Sequence, residues 1–189
     1  MKLINHSKQI STKIVMLFIC LVTVFLFSCT TEELDGNSDL MNQKLESADL
    51  KGGIHFETWQ DQVERLTKKT RRFHNFQVAL AQGWDTQATG HVPGMGIHYI
   101  NEDLMDDKFE MEKPESLLYV ETDEGMTFVA VEYLIVGLSP EGPAPEGFIG
   151  DTDVWVYNPA VEAWTLHVWV GLENSNGIFA PTNPDVDSL

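Results

Sequence analysis

The sequence predicts an α+β fold: one long N-terminal helix packed on an antiparallel β-sheet, with long Gly/Pro loops. Three observations predict it. Phe56, Trp59, Val63, Leu66, Phe73, Phe76 and Leu80 are spaced so that one helical stripe is apolar. Beyond Gly83 the apolar period turns to two, and strand-like runs are bounded by Gly, Pro, Asn and Asp turns. A helix followed by a run of strands is the pattern of segregated helix and antiparallel sheet.

The chain begins with a targeting pattern. Lys2, Lys8 and Lys13 precede an apolar run from Ile14 to Phe27. That run falls short of the ~20 residues a membrane span needs and suits the core of a signal peptide. Leu26-Phe27-Ser28-Cys29 resembles the lipobox of bacterial lipoproteins, with Phe27 as a bulky departure. On this reading residues 1–28 are a lipoprotein signal peptide and Cys29 carries the lipid. An uncleaved anchor helix is the competing reading; either way the membrane is a partner and the domain lies outside the cytoplasm. Residues 29–54 read as a flexible acidic tether. Thr30-Thr31-Glu32-Glu33 resembles the acidic tract that carries some bacterial lipoproteins to the outer cell face. The expected location is the outer membrane, on its periplasmic or cell-surface side.

Residues 55–189 are long enough for a single globular domain. With Cys20 in the signal peptide and Cys29 lipidated, that domain has no thiol left for a disulfide. Removing residues 1–28 takes away three lysines and no acid, so the formal charge moves from −17 to −20. Arg65, Lys68, Lys69, Arg71 and Arg72 crowd one window, and no Lys or Arg follows Lys113. Nucleic acid is excluded as a partner, because binding it needs clustered cations on an overall favourable field.

Phe56 to Gln82 is the expected helix, with Thr58 and Asp61 as a capping pair and Gly83 as its stop. Its basic cluster reads as a solvated face pairing with acids elsewhere. Leu117–Val120 and Thr127–Val136 read as a hairpin across Asp123-Glu124-Gly125. Asp153–Tyr157 and Trp164–Leu172 read as a second strand pair, and Ser139 to Gly147 as a Pro/Gly loop. Residues Gly177 to Pro184 read as irregular structure.

Strict alternation along Thr127–Val136 places Phe128, Ala130, Glu132, Leu134 and Val136 on one face, and Val129, Val131, Tyr133 and Ile135 on the other. Both faces are apolar, so Glu132 is a carboxylate in a hydrophobic setting that requires a metal, a histidine or a hydrogen-bond network. In the last strand Leu166, Val168, Val170 and Leu172 share one face; Thr165, His167, Trp169 and Gly171 share the other. Gly90 to Asn101 adds His91 and His98 around three glycines, a proline and Met95. The expected metal ligands are therefore His91, His98, Glu132 and His167, a donor set that suits zinc, copper, iron or manganese. Met95, Tyr99 and Trp169 are the expected ligand-binding residues. The competing readings are satisfied structural histidines, or an enzyme using Glu132 and a histidine as acid and base. A non-enzymatic binding domain is the favoured reading, with a structural or partner-binding surface lipoprotein as the third. No phosphate-binding Gly-rich loop, Gly-x-Ser-x-Gly elbow or His-Glu-x-x-His helix is present.

Three segments carry a resemblance. Val92-Pro93-Gly94-Met95-Gly96-Ile97-His98-Tyr99-Ile100-Asn101, then Val131-Glu132-Tyr133, then Leu166-His167-Val168-Trp169 with Asn176-Gly177-Ile178-Phe179-Ala180-Pro181-Thr182-Asn183-Pro184 resemble an uncharacterised family of exported bacterial proteins and lipoproteins. The resemblance spans roughly residues 60–186 and implies one domain with its site at these segments; it implies no reaction.

Overall fold

The structure is a computed structural model and describes residues 54–189; Cys29, the signal peptide of residues 1–28 and nearly all of the expected tether lie outside the described residues. The single long helix expected over Phe56–Gln82 does not form, and the fold is not the helix-on-sheet α+β arrangement of the sequence reading. The segment instead breaks into α1 (Trp59–Thr70), a 3-10 turn (Arg71–His74) and a six-residue α2 (Phe76–Ala81). Among the described residues the sheet dominates: six strands, all antiparallel, in the order β1-β2-β3-β4-β6-β5. They are β1 (Thr86–Gln87), β2 (Ile97–Ile100), β3 (Ser116–Thr122), β4 (Gly125–Val136), β5 (Val156–Asn158) and β6 (Ala163–Val168).

The helical break has a local cause. α1 starts on the expected capping box, Thr58 Oγ1 accepting from the Asp61 N–H and Asp61 accepting from the Thr58 N–H. At its end Thr70 turns its hydroxyl back to the Leu66 carbonyl at 2.9 Å, an alternative partner that loosens a helix. Asn75 then adopts extended backbone and caps α2 by accepting the Gln77 N–H at 3.1 Å. The turn between them frees the Phe73 carbonyl, which accepts the buried Tyr119 hydroxyl at 2.8 Å. The Tyr119 hydroxyl thus gains the partner that burial requires.

The helical pieces cover one face of the sheet. Val63, Leu66 and Phe73 join Leu117, Tyr119, Phe128, Val131, Tyr133, Leu166 and Val168 in the larger core. A second, smaller cluster of Leu118, Val120, Val129, Ala130, Trp169 and Val186 lies on the opposite face. Both clusters lie between Val63 and Val186, and residues 54–189 form a compact unit with its own core, the property of a domain that folds alone.

β4 departs from the strict alternation expected of it. Leu118 pairs with Ala130 but Tyr119 pairs with Phe128, so Val129 is the extra residue of a β-bulge. Val129 and Ala130 consequently share the smaller cluster, and Phe128 crosses to the helix-covered face, away from Glu132. The Val129 carbonyl accepts from the N–H groups of Gly171 and Leu172, both at 3.0 Å. A Cβ on Gly171 would stand 2.5 Å from the Phe128 carbonyl oxygen, so only glycine fits there. This turn ends β6 at Val168 and sends Leu172 to the smaller cluster, not to the face of Leu166.

Part of the expected basic face pairs with acids as expected. Arg65 and Lys69 both reach Glu112, and Lys68 reaches Glu64. These are surface pairs of small worth.

Candidate functional site

Three of the four expected metal ligands converge on the sheet face away from the helices. Glu132 and His167 are direct cross-strand partners on β4 and β6, and His98 reaches them from β2, across β3. Glu132 lies 3.5 Å from His98 Nε2 and 3.6 Å from His167 Nε2. One ligand atom from each residue lies within 4.8 Å of the others, and the three residues are 5–7% exposed.

The loop ahead of β2 places His98. Val92-Pro93-Gly94-Met95 is a turn with the Met95 N–H donating to the Val92 carbonyl at 2.9 Å and Gly94 at φ +71°. Proline at the second position and glycine at the third are the type II signature. Gly96 sits at φ +94°, where a Cβ would come within 2.6 Å of the Tyr119 carbonyl oxygen. β2 is thereby pressed against β3, with His98 opposite Leu118. Thr89 fixes the imidazole: its Oγ1 accepts the His98 backbone N–H at 3.1 Å and lies 3.0 Å from Nδ1. The tautomer with the proton on Nδ1 leaves the Nε2 lone pair facing Glu132, the orientation a ligand histidine needs. His167 stacks nearly parallel on Trp169, the planes 12° apart, and Trp169 Nε1 donates to the Ala180 carbonyl at 2.7 Å.

The electrostatics of the cluster are those of three neutral groups. Burial pushes the Glu132 carboxyl up to about 8, aided by the charge of Glu115. Burial pushes His98 down to about 4; burial, then the charge of His98, pushes His167 down to about 3. The separations agree, since a charge-assisted N–H···O contact closes to about 2.7–2.9 Å. No hydrogen bond joins Glu132 to either ring. His167 Nε2 is fully buried without a partner, and so is Ser116 Oγ, which lies in the same cross-strand row on the other side of Glu132. These are the two buried side-chain polar atoms without a partner among the described residues, and both flank one carboxyl. Such orphans are costly unless something accepts or donates there.

The remaining expected site residues are placed elsewhere or play other parts. His91 is separate from the cluster: half-exposed, it pairs through Nε2 with Asp187 at 2.8 Å. Tyr99, next to His98, points to the helix-covered face, where it meets Phe76 and Tyr119. It is not a wall of this site. Met95 lines the cavity above the cluster, and Trp169 supports His167 from the side. That cavity, about 510 Å³, is walled by aliphatic residues and floored by His98, Glu132 and His167. Sequence reasoning missed Thr89, Ser116 and the valines of the mouth, Val154, Val156 and Val161. The alternating pattern of β2 held a usable signal for Tyr99; Thr89 offered none.

Comparison with known proteins finds no match among family models, curated proteins or solved structures.

Proposed function

We propose that the chain is a lipid-anchored extracytoplasmic domain that holds one divalent transition-metal ion through His98 Nε2, a Glu132 oxygen and His167 Nε2. The observation that carries the reading is the orphaned His167 Nε2, buried and facing Glu132 across 3.6 Å. Metal–nitrogen and metal–oxygen bonds of about 2.1 Å put tetrahedral ligands about 3.4 Å apart. Glu132 offers Oε2 to His98 Nε2 at 3.5 Å and Oε1 to His167 Nε2 at 3.6 Å, and one atom from each of the three residues lies within 4.8 Å of the others. Two imidazoles and one carboxylate with open positions are a donor set for zinc or iron(II). The three residues all line the apolar cavity, which would supply the remaining ligand positions of an ion held there. An acid–base pair has less support, since neither ring hydrogen-bonds to the carboxyl. Lipidation at Cys29 and an outer-membrane location complete the proposal, supported by the apolar run, the Leu-Phe-Ser-Cys segment and the resemblance to exported bacterial proteins.

The test is dialysis of chelator-stripped residues 54–189 against zinc, iron(II), manganese and copper in turn, with metal content measured afterwards. The wild-type domain retains about one ion per chain of at least one metal. The double variant His98→Ala, His167→Ala retains none and still unfolds cooperatively. A wild-type domain that leaves every dialysis without metal overturns the reading.

A further inference from the structure

We infer that the cavity above the His98–Glu132–His167 cluster takes an apolar-bodied monocarboxylate, its head on the cluster and its body directed out past Val154, Val156 and Val161. The inference rests on the metal reading above and adds the class of ligand.

Charge selects the head group. Among the residues that line the cavity, Glu132 is the sole carboxylate and no Lys or Arg is present. A divalent ion bound by one carboxylate keeps one positive charge, which one monoanion neutralises in a setting where residual charge is expensive. A polyanion such as a phosphate ester would need further cations that the wall does not supply. A sugar would need a ring of donors and acceptors. Thr89, Thr165, Asn158 and Tyr157 are the polar residues of the wall outside the cluster, and Thr89 is committed to His98.

The wall selects the body. Val92, Met95, Ile100, Met105, Leu134 and Pro181 enclose the space above the cluster. At about 510 Å³ it falls in the range of small-molecule sites. The mouth is apolar as well. Six large hydrophobic residues are exposed among those described, and three of them, Val154, Val156 and Val161, line this one cavity at 44–50% exposure. Scattered exposed apolar residues require no explanation, whereas a cluster around a concave opening marks a binding site. β5, which carries Val156, is an edge strand, so the collar stands free at the side of the sheet.

The test uses residues 54–189 loaded with cobalt(II), whose visible spectrum reports its coordination, with octanoate and acetate as probes. Octanoate perturbs the cobalt bands at a concentration at least tenfold lower than acetate. The triple variant Val154→Thr, Val156→Thr, Val161→Thr keeps the shape of the collar; it raises the octanoate requirement at least fivefold and leaves cobalt uptake and the acetate response unchanged. Native mass spectrometry finds octanoate on the cobalt-loaded domain and not on the stripped domain. Cobalt uptake with no spectral response to octanoate overturns the inference and leaves the metal reading standing, as does octanoate binding that ignores cobalt. Failure to take up cobalt or any other divalent ion overturns both.

Discussion

At the scale of single residues, the cluster depends on how each donor is held. Thr89 touches His98 and not the proposed ion, so its loss acts through ring orientation. Thr89→Val keeps the shape, removes the hydroxyl partner of Nδ1 and is expected to weaken metal affinity about 10–100-fold with the stoichiometry intact, measured by competition with a chelator of known affinity. Glu115 is a second buried carboxyl, 1% exposed, with its Oε2 accepting the Leu134 N–H at 3.0 Å. Burial raises it to about 7 against that single bond and a bond to its own backbone. A group whose pKa is raised by folding stabilises the native state fully below its unfolded value and loses that contribution as pH rises through its folded value. The native domain is therefore expected to lose about 3 kcal/mol between pH 4.5 and pH 7–8 from this group. Glu132 adds a slope of the same sign, and the buried His98 and His167, both held well below the usual imidazole value, add slopes of the opposite sign on the acid side of that value. Glu115→Gln, which keeps an acceptor for Leu134, removes this one contribution, so the stability of the variant relative to the wild type rises by about 3 kcal/mol between pH 4.5 and pH 7–8. A variant as pH-dependent as the wild type would show that Glu115 is already ionised in the fold.

At the scale of elements, the apolar stripe from Phe56 to Leu80 located the segment that covers the sheet but not its breaks, because Thr70 and Asn75 fit a helical period while offering the backbone other partners. Asn75→Ala removes the acceptor at the start of α2 and is expected to cost about 1 kcal/mol. Phe73→Ala empties a site that is 2% exposed between Trp84 and the sheet and costs about 3–5 kcal/mol. Equilibrium urea unfolding reads both, and the larger loss belongs to Phe73. The Thr127–Val136 strand shows the same division. Its burial and hairpin partner were legible in its β-branched run, and alternation beyond the bulge correctly put Glu132 with Ala130 and Leu134, away from Val131 and Tyr133. That His167 shares this face came from the pairing of β4 with β6, which alternation within either strand left open. The Val129 bulge was not legible, because a bulge is set by what the neighbouring strand and the Gly171 turn require. Phe128 was misplaced for that reason. Convergence of His98 with Glu132 depended on β2 pairing with β3, a register that no local pattern in Gly90–Asn101 specifies. Tyr99 could have been excluded, since adjacent strand residues face opposite ways.

At the scale of the whole molecule, the site wall is completed by a stretch some ninety residues further along the chain. Asp187 accepts the Gly94 N–H on both carboxylate oxygens, at 3.1 and 3.0 Å, and pairs with His91 at 2.8 Å. The Gly94 carbonyl accepts the Asn183 N–H at 2.8 Å, and Val186 is buried against the smaller core. The turn bearing Val92 and Met95 is thus clasped to the C-terminal segment bearing Pro181, and all three residues line the cavity. His91, expected as a ligand, is part of this clasp. The bond to His91, then that to Gly94, holds the Asp187 carboxyl below the usual range. A carboxylate so depressed stabilises the clasp above its unfolded pKa and releases it as pH falls through its folded value. Half-exposed, the pair contributes little to global stability, so its effect is local. Asp187→Ala is expected to leave the unfolding midpoint nearly unchanged while the Gly94 amide exchanges with solvent at least tenfold faster, read by hydrogen exchange at neutral pH. Metal stoichiometry stays the same, because His98, Glu132 and His167 are fixed by the sheet and by Thr89. Slow exchange at Gly94 in the variant would show that the Asn183 contact alone holds the turn.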